Sequence, residues 1–282
     1  MKLTDFDVYR QLLLDQSGLD LTQDKTYLLE SRLKPVAKKW GYPTLEMMTM
    51  ALNGVPEPGL INDIVEAMTT NETSFFRDGK PFESFEKHIL PYLAQTRAKA
   101  KNLRIWCAAS SSGQEPYSLA IALKELQPQL PNWKIQILAT DISEEILQQA
   151  AEGRYTQFEV QRGLPVQLLM KYFKQDDDKW QLDESIRSMV TFYRLNLIED
   201  MRKLDMFDIV FCRNVLIYFN EETKRTVIEN MLEHMEPDGF MVLGSSESPL
   251  GITDKIKGIS EHRGLYVRAD GPHADAAKAT GT

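Results

Sequence analysis

From about residue 100 onward, short apolar runs alternate with helical stretches, and this alternation constrains the fold more than any other feature of the chain. The runs are LRIWCAA (103–109), KIQILATD (134–141), MVTFYRLNL (189–197), FDIVFCRN (207–214), GFMVLGSS (239–246) and RGLYVRA (263–269). Helical patterns fill most of the intervals, notably 116–127, 143–152 and 221–235. Such alternation predicts an α/β fold with a mostly parallel sheet, because each crossover helix must cover one sheet face. The last two runs are separated by ESPLGITDKIKGISEH (247–262), which reads as a long irregular connection.

Ahead of this region, residues 4 to about 70 read as helices. An amphipathic segment holding Leu12, Leu13 and Leu14 should end near Gly18. Thr22 is placed to cap a second helix running to Trp40 and closed by Gly41. Thr44 is placed to cap a third that stops at Asn53-Gly54, and LINDIVEAM (60–68) suggests a fourth. The expected organisation is therefore a helical domain over 1–70, a linker over 71–100, and an α/β domain over 101–268. That domain should carry an insert at about 155–190, with a short helix and a small antiparallel excursion near Lys179–Leu182. The Asp176–Asp178 run reads as a solvated turn. Residues 269–282 are small and polar and are expected to be a disordered tail.

Composition narrows the function. A net charge of −8 over 282 residues disfavours a phosphate-binding surface, so no nucleic-acid partner is expected. Cys107 and Cys212 sit in apolar runs and read as buried thiols of a reducing compartment. The start, MKLTDFDVYRQLLLDQSG, carries acids where a signal peptide would be apolar. No apolar run approaches the ~20 residues of a membrane span. A cytoplasmic protein without membrane insertion, and a monomer, is expected. No metal-ligand cluster is evident.

The stretch LRIWCAASSSGQEPYSLAIAL (103–123) ends a strand, strips the backbone to Ser110–Gly113 and starts a helix. Such a turn aims bare N–H groups and a helix dipole at one place. Pro116 suits the first turn, and Leu119, Ala122, Leu123 and Leu126 form a core-facing stripe. Gly113 is its only glycine, so neither G-x-G-x-x-G nor a P-loop is present. Glu115 would repel a pyrophosphate but suits a ligand with positive charge or hydroxyls, which favours S-adenosyl-L-methionine (AdoMet) over NAD. Asp141 ends the second run, 28 residues past Gly113, where α/β nucleotide folds place a ribose-binding acid. Asp141 would equally serve as a cap for the helix beginning at Ser143.

Five segments taken in order make a more specific pattern: TTNETSFFRD (69–78), CAASSSGQEPYSLA (107–120), ATDIS (139–143), FDIVFCRNVLIYFN (207–220) and EPDGFMVLGSSES (236–248). Together they resemble the CheR family, methyltransferases that methylate glutamates on bacterial chemoreceptors, over residues 4 to about 268. The resemblance implies a Rossmann-like AdoMet domain with a small antiparallel insert behind an all-helical domain. It implies that Asn71, Thr73 and Arg77 fold over AdoMet, that Glu115 and Asp141 contact it, and that Asn196-Leu197 and Arg213-Asn214 complete the site. Tyr218 matches the tyrosine near the reacting methyl, and Arg77 is a second catalytic candidate that would steer a carboxylate of either cofactor or substrate. Members that bind a receptor pentapeptide carry a glycine-rich loop in the insert; here KQDDDKWQLDES (174–185) has no glycine, which implies independence of such a tether.

A glutamate nucleophile is ionised at pH 7 and needs no general base. The partner expected is the cytoplasmic helical region of a chemoreceptor. Lys25, Arg32, Lys34, Lys38 and Lys39 against Glu30 give a basic helix suited to docking an acidic partner, or simply a solvated face. Two other readings stay open: an AdoMet enzyme acting on a small molecule, and a non-catalytic receptor-binding module.

Overall fold

The computed structural model describes residues 3–273; residues 274–282, most of the stretch expected to be a disordered tail, lie outside the described residues. Contacts divide the chain into two compact units, one reaching to Thr70 and including Tyr218–Thr223, the other holding Asn71–Ile217 and the residues from Lys224.

Among the described residues, the first unit contains the α-helices α1 (Leu3–Ser17), α2 (Thr26–Lys39), α3 (Leu45–Leu52) and α4 (Pro58–Met68). Gly18 ends α1 at φ 75°, a conformation that costs glycine little. The Thr44 side chain accepts from the Met47 N–H and caps α3 as expected. Thr22 does not cap α2. It precedes a 3₁₀ turn, Gln23–Lys25, and its hydroxyl donates to Asp24 instead. A short polar side chain is drawn to the nearest acceptor, so α2 starts later, at Thr26. Leu29, Leu33, Met48, Leu60 and Ile64 are buried in this unit. There the buried Tyr9 hydroxyl donates to the Leu45 carbonyl at 3.0 Å.

The second unit is built on a sheet of seven strands: β1 (Asn102–Ala108), β2 (Lys134–Asp141), β6 (Val190–Arg194), β7 (Phe207–Cys212), β8 (Met235–Leu243), β9 (Ile256–Gly258) and β10 (Leu265–Arg268). The three remaining strands, β3 (Arg154–Thr156), β4 (Phe173–Asp176) and β5 (Lys179–Leu182), form the insert. The order across the large sheet is β6-β2-β1-β7-β8-β10-β9. Its first five strands are parallel, and β10 runs antiparallel to both β8 and β9. All six apolar runs become strands. β9 is an addition, a three-residue edge strand inside the stretch that reads as irregular. Such a short strand shows no period of its own; pairing with β10 creates it.

The Gln114–Glu125 helix is buried continuously from Gln114 to Leu123 rather than along one stripe. It meets β2, β6 and the short Glu184–Arg187 helix, so more than one face is covered. Cys107 and Cys212 are both buried free thiols, and burial pushes both well up from the usual thiol range. In the insert, β3-β5-β4 is antiparallel, with Tyr155 opposite Trp180 and Phe173 opposite Leu182. The strand expected at Lys179–Leu182 is its centre.

The linker segment is helical over Lys80–Ser84 and Leu90–Thr96, with a π-helical turn at Phe85–Ile89 between them. Phe82, Phe85, Ile89 and Leu93 pack into the sheet core. Arg97, just past its end, donates to Asp208 at 2.7 Å and to Asp238 at 2.9 and 2.5 Å. Asp208 also accepts the Arg104 N–H at 2.8 Å, which ties the start of β1 to β7.

Removing one partner of a largely buried ion pair strands the other charge. Arg97→Met is therefore expected to lower unfolding free energy by about 3 kcal/mol in urea titrations. The bond from Arg97 holds the Asp238 carboxyl below its ordinary 3.8. Stabilisation from such a depressed carboxyl is complete above the unfolded value and is lost as pH falls through the folded one. The wild type should thus lose this contribution below about pH 4. The variant's urea midpoint should fall less between pH 6 and pH 3.

Candidate cofactor site

In open α/β sheets, ligands bind beyond the carboxyl ends of the strands where the chain reverses its direction of winding. Here that point lies between β1 and β7, since β2 and β6 lie on one side of β1 and β7 and β8 on the other. Every residue expected at the cofactor site except those of the linker sits at or beside these strand ends.

The loop after β1 is strained. Ala109, Ser111 and Gly113 take φ of 58°, 50° and 90°, and two of the three carry a Cβ. Backbone strain of this kind persists only where surroundings hold it. Ser110 N–H donates to the Thr140 carbonyl at 2.8 Å, and Ser111 N–H to Asp141 Oδ2 at 2.8 Å. Tyr155, on β3, donates its hydroxyl to the Ser112 carbonyl at 2.8 Å. The Ser110 hydroxyl is buried without a hydrogen-bond partner.

Asp141 is 7% exposed. Besides Ser111 it accepts the Ser143 N–H at 3.1 Å, so one carboxylate joins the loops after β1 and β2. It does not cap the Glu144–Glu152 helix: the Ser143 side chain does, accepting from Ile146 N–H. The Asp141 carbonyl accepts from Leu195 N–H at 3.0 Å, which brings the end of β6 alongside. There Asn196 and Leu197 are buried, with the Asn196 amide donating to Glu199 at 3.3 Å.

Glu115 faces a protein cation. Arg213, at the end of β7, donates to it at 2.6 Å, and the Arg213 side chain is only 1% exposed. Burial raises the Glu115 carboxyl from its ordinary value, and Arg213 opposes the rise. The other end of the guanidinium donates to Asp78 at 2.7 Å and to the Arg77 carbonyl at 2.9 Å. Arg213 thus straps the linker to the start of the Gln114–Glu125 helix.

Two further bonds hold the linker strand. Ser111 Oγ donates to the Asn71 carbonyl at 2.9 Å, and Phe76 N–H to Ser118 Oγ at 2.9 Å. Asn71 is exposed and Thr73 half-buried. The Arg77 guanidinium donates to the Glu72 carbonyl at 2.7 Å.

Sequence reasoning missed Glu247. This buried carboxylate accepts N–H groups from Asn214 (2.7 Å), Val215 (2.9 Å), Leu216 (2.7 Å) and Gly244 (2.7 Å). It shapes the loop after β7, where Asn214 takes φ 61°. A Cβ at Gly244 would lie 2.5 Å from the carboxylate, so that position needs glycine. The available signal was an acid just past a strand, in GSSES. Tyr218 closes the Leu216–Tyr218 turn, and within the first unit its carbonyl accepts the Asp20 N–H at 2.9 Å.

The basic set on α2 and in the turn before it is not uniform. Arg32 is spent on the end of α4, donating to the Met68 and Thr69 carbonyls at 2.9 and 2.7 Å. Lys39 pairs with Asp63 at 2.7 Å, and Lys25 lies 3.6 Å from Asp24. Lys34 and Lys38 are exposed and line a cleft of about 690 Å³ with Tyr42, Thr44 and Glu46.

This donor set fits AdoMet. A carboxylate at a strand end suits ribose hydroxyls, small side chains leave the loop backbone approachable, and the orphaned Ser110 hydroxyl has a bond left to make. Asp141→Ala should raise the Kd for S-adenosylhomocysteine about tenfold or more, read by calorimetry. Glu247→Gln puts an amide N–H where backbone donors converge. It should cost about 1–3 kcal/mol of stability in chemical denaturation.

Among the described residues, no helix is long and apolar enough to cross a membrane. Two family models match the chain in succession: residues 4–69 match the CheR methyltransferase all-alpha domain and residues 71–265 the CheR methyltransferase SAM binding domain. The chain is 38% identical to chemotaxis protein methyltransferase 1 of Pseudomonas aeruginosa, covering 94% of this chain and 97% of that one. It is 36% identical to chemotaxis protein methyltransferase Cher2 of Pseudomonas putida, covering 94% and 98%. Chemotaxis protein methyltransferase 1 of Vibrio cholerae is 37% identical, covering 92% and 94%. The chain belongs to the CheR methyltransferase family and is an AdoMet-dependent methyltransferase of chemotaxis.

Proposed function

We propose that this protein esterifies the side-chain carboxylates of specific glutamates on chemoreceptors. AdoMet, when bound, supplies an electrophilic methyl group on a sulfonium. The observation that carries the choice of nucleophile is where the histidines lie. His88 and His262 lie ring against ring, centroids 3.9 Å apart and tilted by 40°, His273 lies against Tyr92 and Phe240, and His234 follows the Glu221–Glu233 helix. None stands at the carboxyl ends of β1, β2 or β7. Serine, cysteine or amine nucleophiles need a base to remove a proton, whereas a glutamate arrives ionised.

The chain's own contributions are placement and exclusion of water. Asp141 and the loop it holds bind the nucleoside, and Arg213 fixes the linker that carries Arg77. Orientation of this kind is worth up to ~7–11 kcal/mol in favourable cases. Arg77 steers a carboxylate, and Tyr218 donates a hydrogen bond that aims the substrate glutamate; both roles come from the family motifs. Of the basic set on α2, Lys34 and Lys38 have the exposure for a receptor-docking role.

The reading that no receptor pentapeptide is used gains support from the insert. β4 and β5 are joined by Asp177-Asp178 alone, with Asp177 at φ 55°, so this hairpin has a tight acidic tip.

Incubation with methyl-labelled AdoMet and receptor fragments, followed by mass spectrometry, should place alkali-labile methyl groups on glutamates. Label that survives mild alkali, or that appears only on small molecules, would sink the proposal. Lys34→Glu with Lys38→Glu should lower kcat/KM for receptor about tenfold while leaving cofactor affinity unchanged. Tyr218→Phe should slow single-turnover transfer more than it weakens binding. Deleting the receptor's C-terminal residues should leave KM unchanged.

A further inference from the structure

The insert has more contact with the cofactor site than a peripheral appendage needs. Tyr155, in β3, is 2% exposed, and its hydroxyl holds the Ser112 carbonyl in the strained loop after β1. Its ring packs edge-on to Phe75 of the linker at 5.0 Å, and Phe173 of β4 packs on the same Phe75 at 5.6 Å. Phe75 is fully buried between them. Beyond the Gln157–Gln161 helix, Arg162 pairs with Glu72 at 2.5 Å. Next to it Gly163, at φ 89°, lies so close that a Cβ there would be 2.1 Å from the Phe75 carbonyl oxygen. The two segments expected to embrace the cofactor, Ser110–Gly113 and Asn71–Asp78, are thus both held by residues of the insert.

We infer that the insert is a buttress of the cofactor site, with Tyr155 and Arg162 as positioning residues that hold the β1 loop and the linker in their binding geometry. Neither residue needs to touch the ligand. Tyr155 supplies a side-chain donor to the Ser112 carbonyl, and a loop with three left-handed residues depends on such outside bonds to stay in place. Arg162 pairs with the exposed Glu72 carboxylate, and the Glu72 carbonyl accepts from Arg77. The chain from insert to Arg77 is therefore continuous. Coupling of this kind is reciprocal: cofactor binding must also steady the insert.

The inference rests on the reading of this strand edge as the AdoMet site, and the test separates the two. Calorimetry with S-adenosylhomocysteine on the full chain should show about fivefold to tenfold weaker binding for Tyr155→Phe, the effect of losing one buried hydrogen bond. KM for AdoMet should rise with kcat little changed. Tyr9→Phe serves as the control. It removes a bond of the same kind, from a buried tyrosine hydroxyl to the Leu45 carbonyl at 3.0 Å, but one made between α1 and α3 of the first unit. It should cost similar thermal stability and leave the Kd unchanged. Glu72→Arg should speed hydrogen exchange over 71–78, and the charge-swapped pair Glu72→Arg with Arg162→Glu should restore it. In the wild type, S-adenosylhomocysteine should slow exchange within 155–182. Wild-type affinity in Tyr155→Phe, with exchange over 155–182 indifferent to the ligand, would overturn the inference while leaving the cofactor site intact. Failure of the unaltered protein to bind S-adenosylhomocysteine would remove the site reading itself.

Discussion

The buried guanidinium of Arg213 is the interaction around which the cofactor site is organised. It sits at the end of the central strand β7, almost wholly shielded from water, and must find partners there. It finds Glu115 at the start of a buried helix and Asp78 with the Arg77 carbonyl in the linker. The Arg77 charge acts on Glu115 as well. Buried ion pairs add little net stability, because desolvation offsets attraction, but they penalise every arrangement that leaves a charge unpaired. Here that penalty keeps linker, helix and strand in one register.

Two other carboxylates repeat a common device along the same edge. Asp141 gathers N–H groups from the loops after β1 and β2, and Glu247 gathers them from the loop after β7 and from Gly244. In both places the backbone takes left-handed conformations at residues other than glycine, Ala109 and Ser111 in one and Asn214 in the other. Such conformations cost roughly 1–3 kcal/mol each. Charge-assisted bonds to a buried carboxylate are strong enough to offset that cost. The acids at strand ends therefore shape the pocket before any ligand arrives, and a ribose contact by Asp141 would be added to a structural duty.

The insert and the basic helix show how far residue type alone leads. In the insert, β4 and β5 form a hairpin with a two-residue acidic tip, and Tyr155 of β3 and Phe173 of β4 pack on Phe75. On α2 and in the turn before it, five basic residues look alike in the sequence. The fold commits Arg32 to carbonyls at the end of α4 and Lys39 to Asp63, while Lys34 and Lys38 remain exposed.

What the sequence determined by itself was the set of elements with local signals. Apolar period and turn residues were enough for the parallel strands, for the Thr44 cap and for the strand-turn-helix at Ser110–Gly113, because these depend on neighbours a few residues away. Ordered motifs were enough for the family. Tertiary structure alone decided the partners: Thr22 turning to Asp24, Arg213 meeting Glu115 across 98 positions, Glu247 reaching Asn214, and β9 existing at all. A side chain's hydrogen-bonding capacity is written in its identity. Which group fills that capacity depends on what the folded sheet brings within about 3 Å, and no local pattern encodes that.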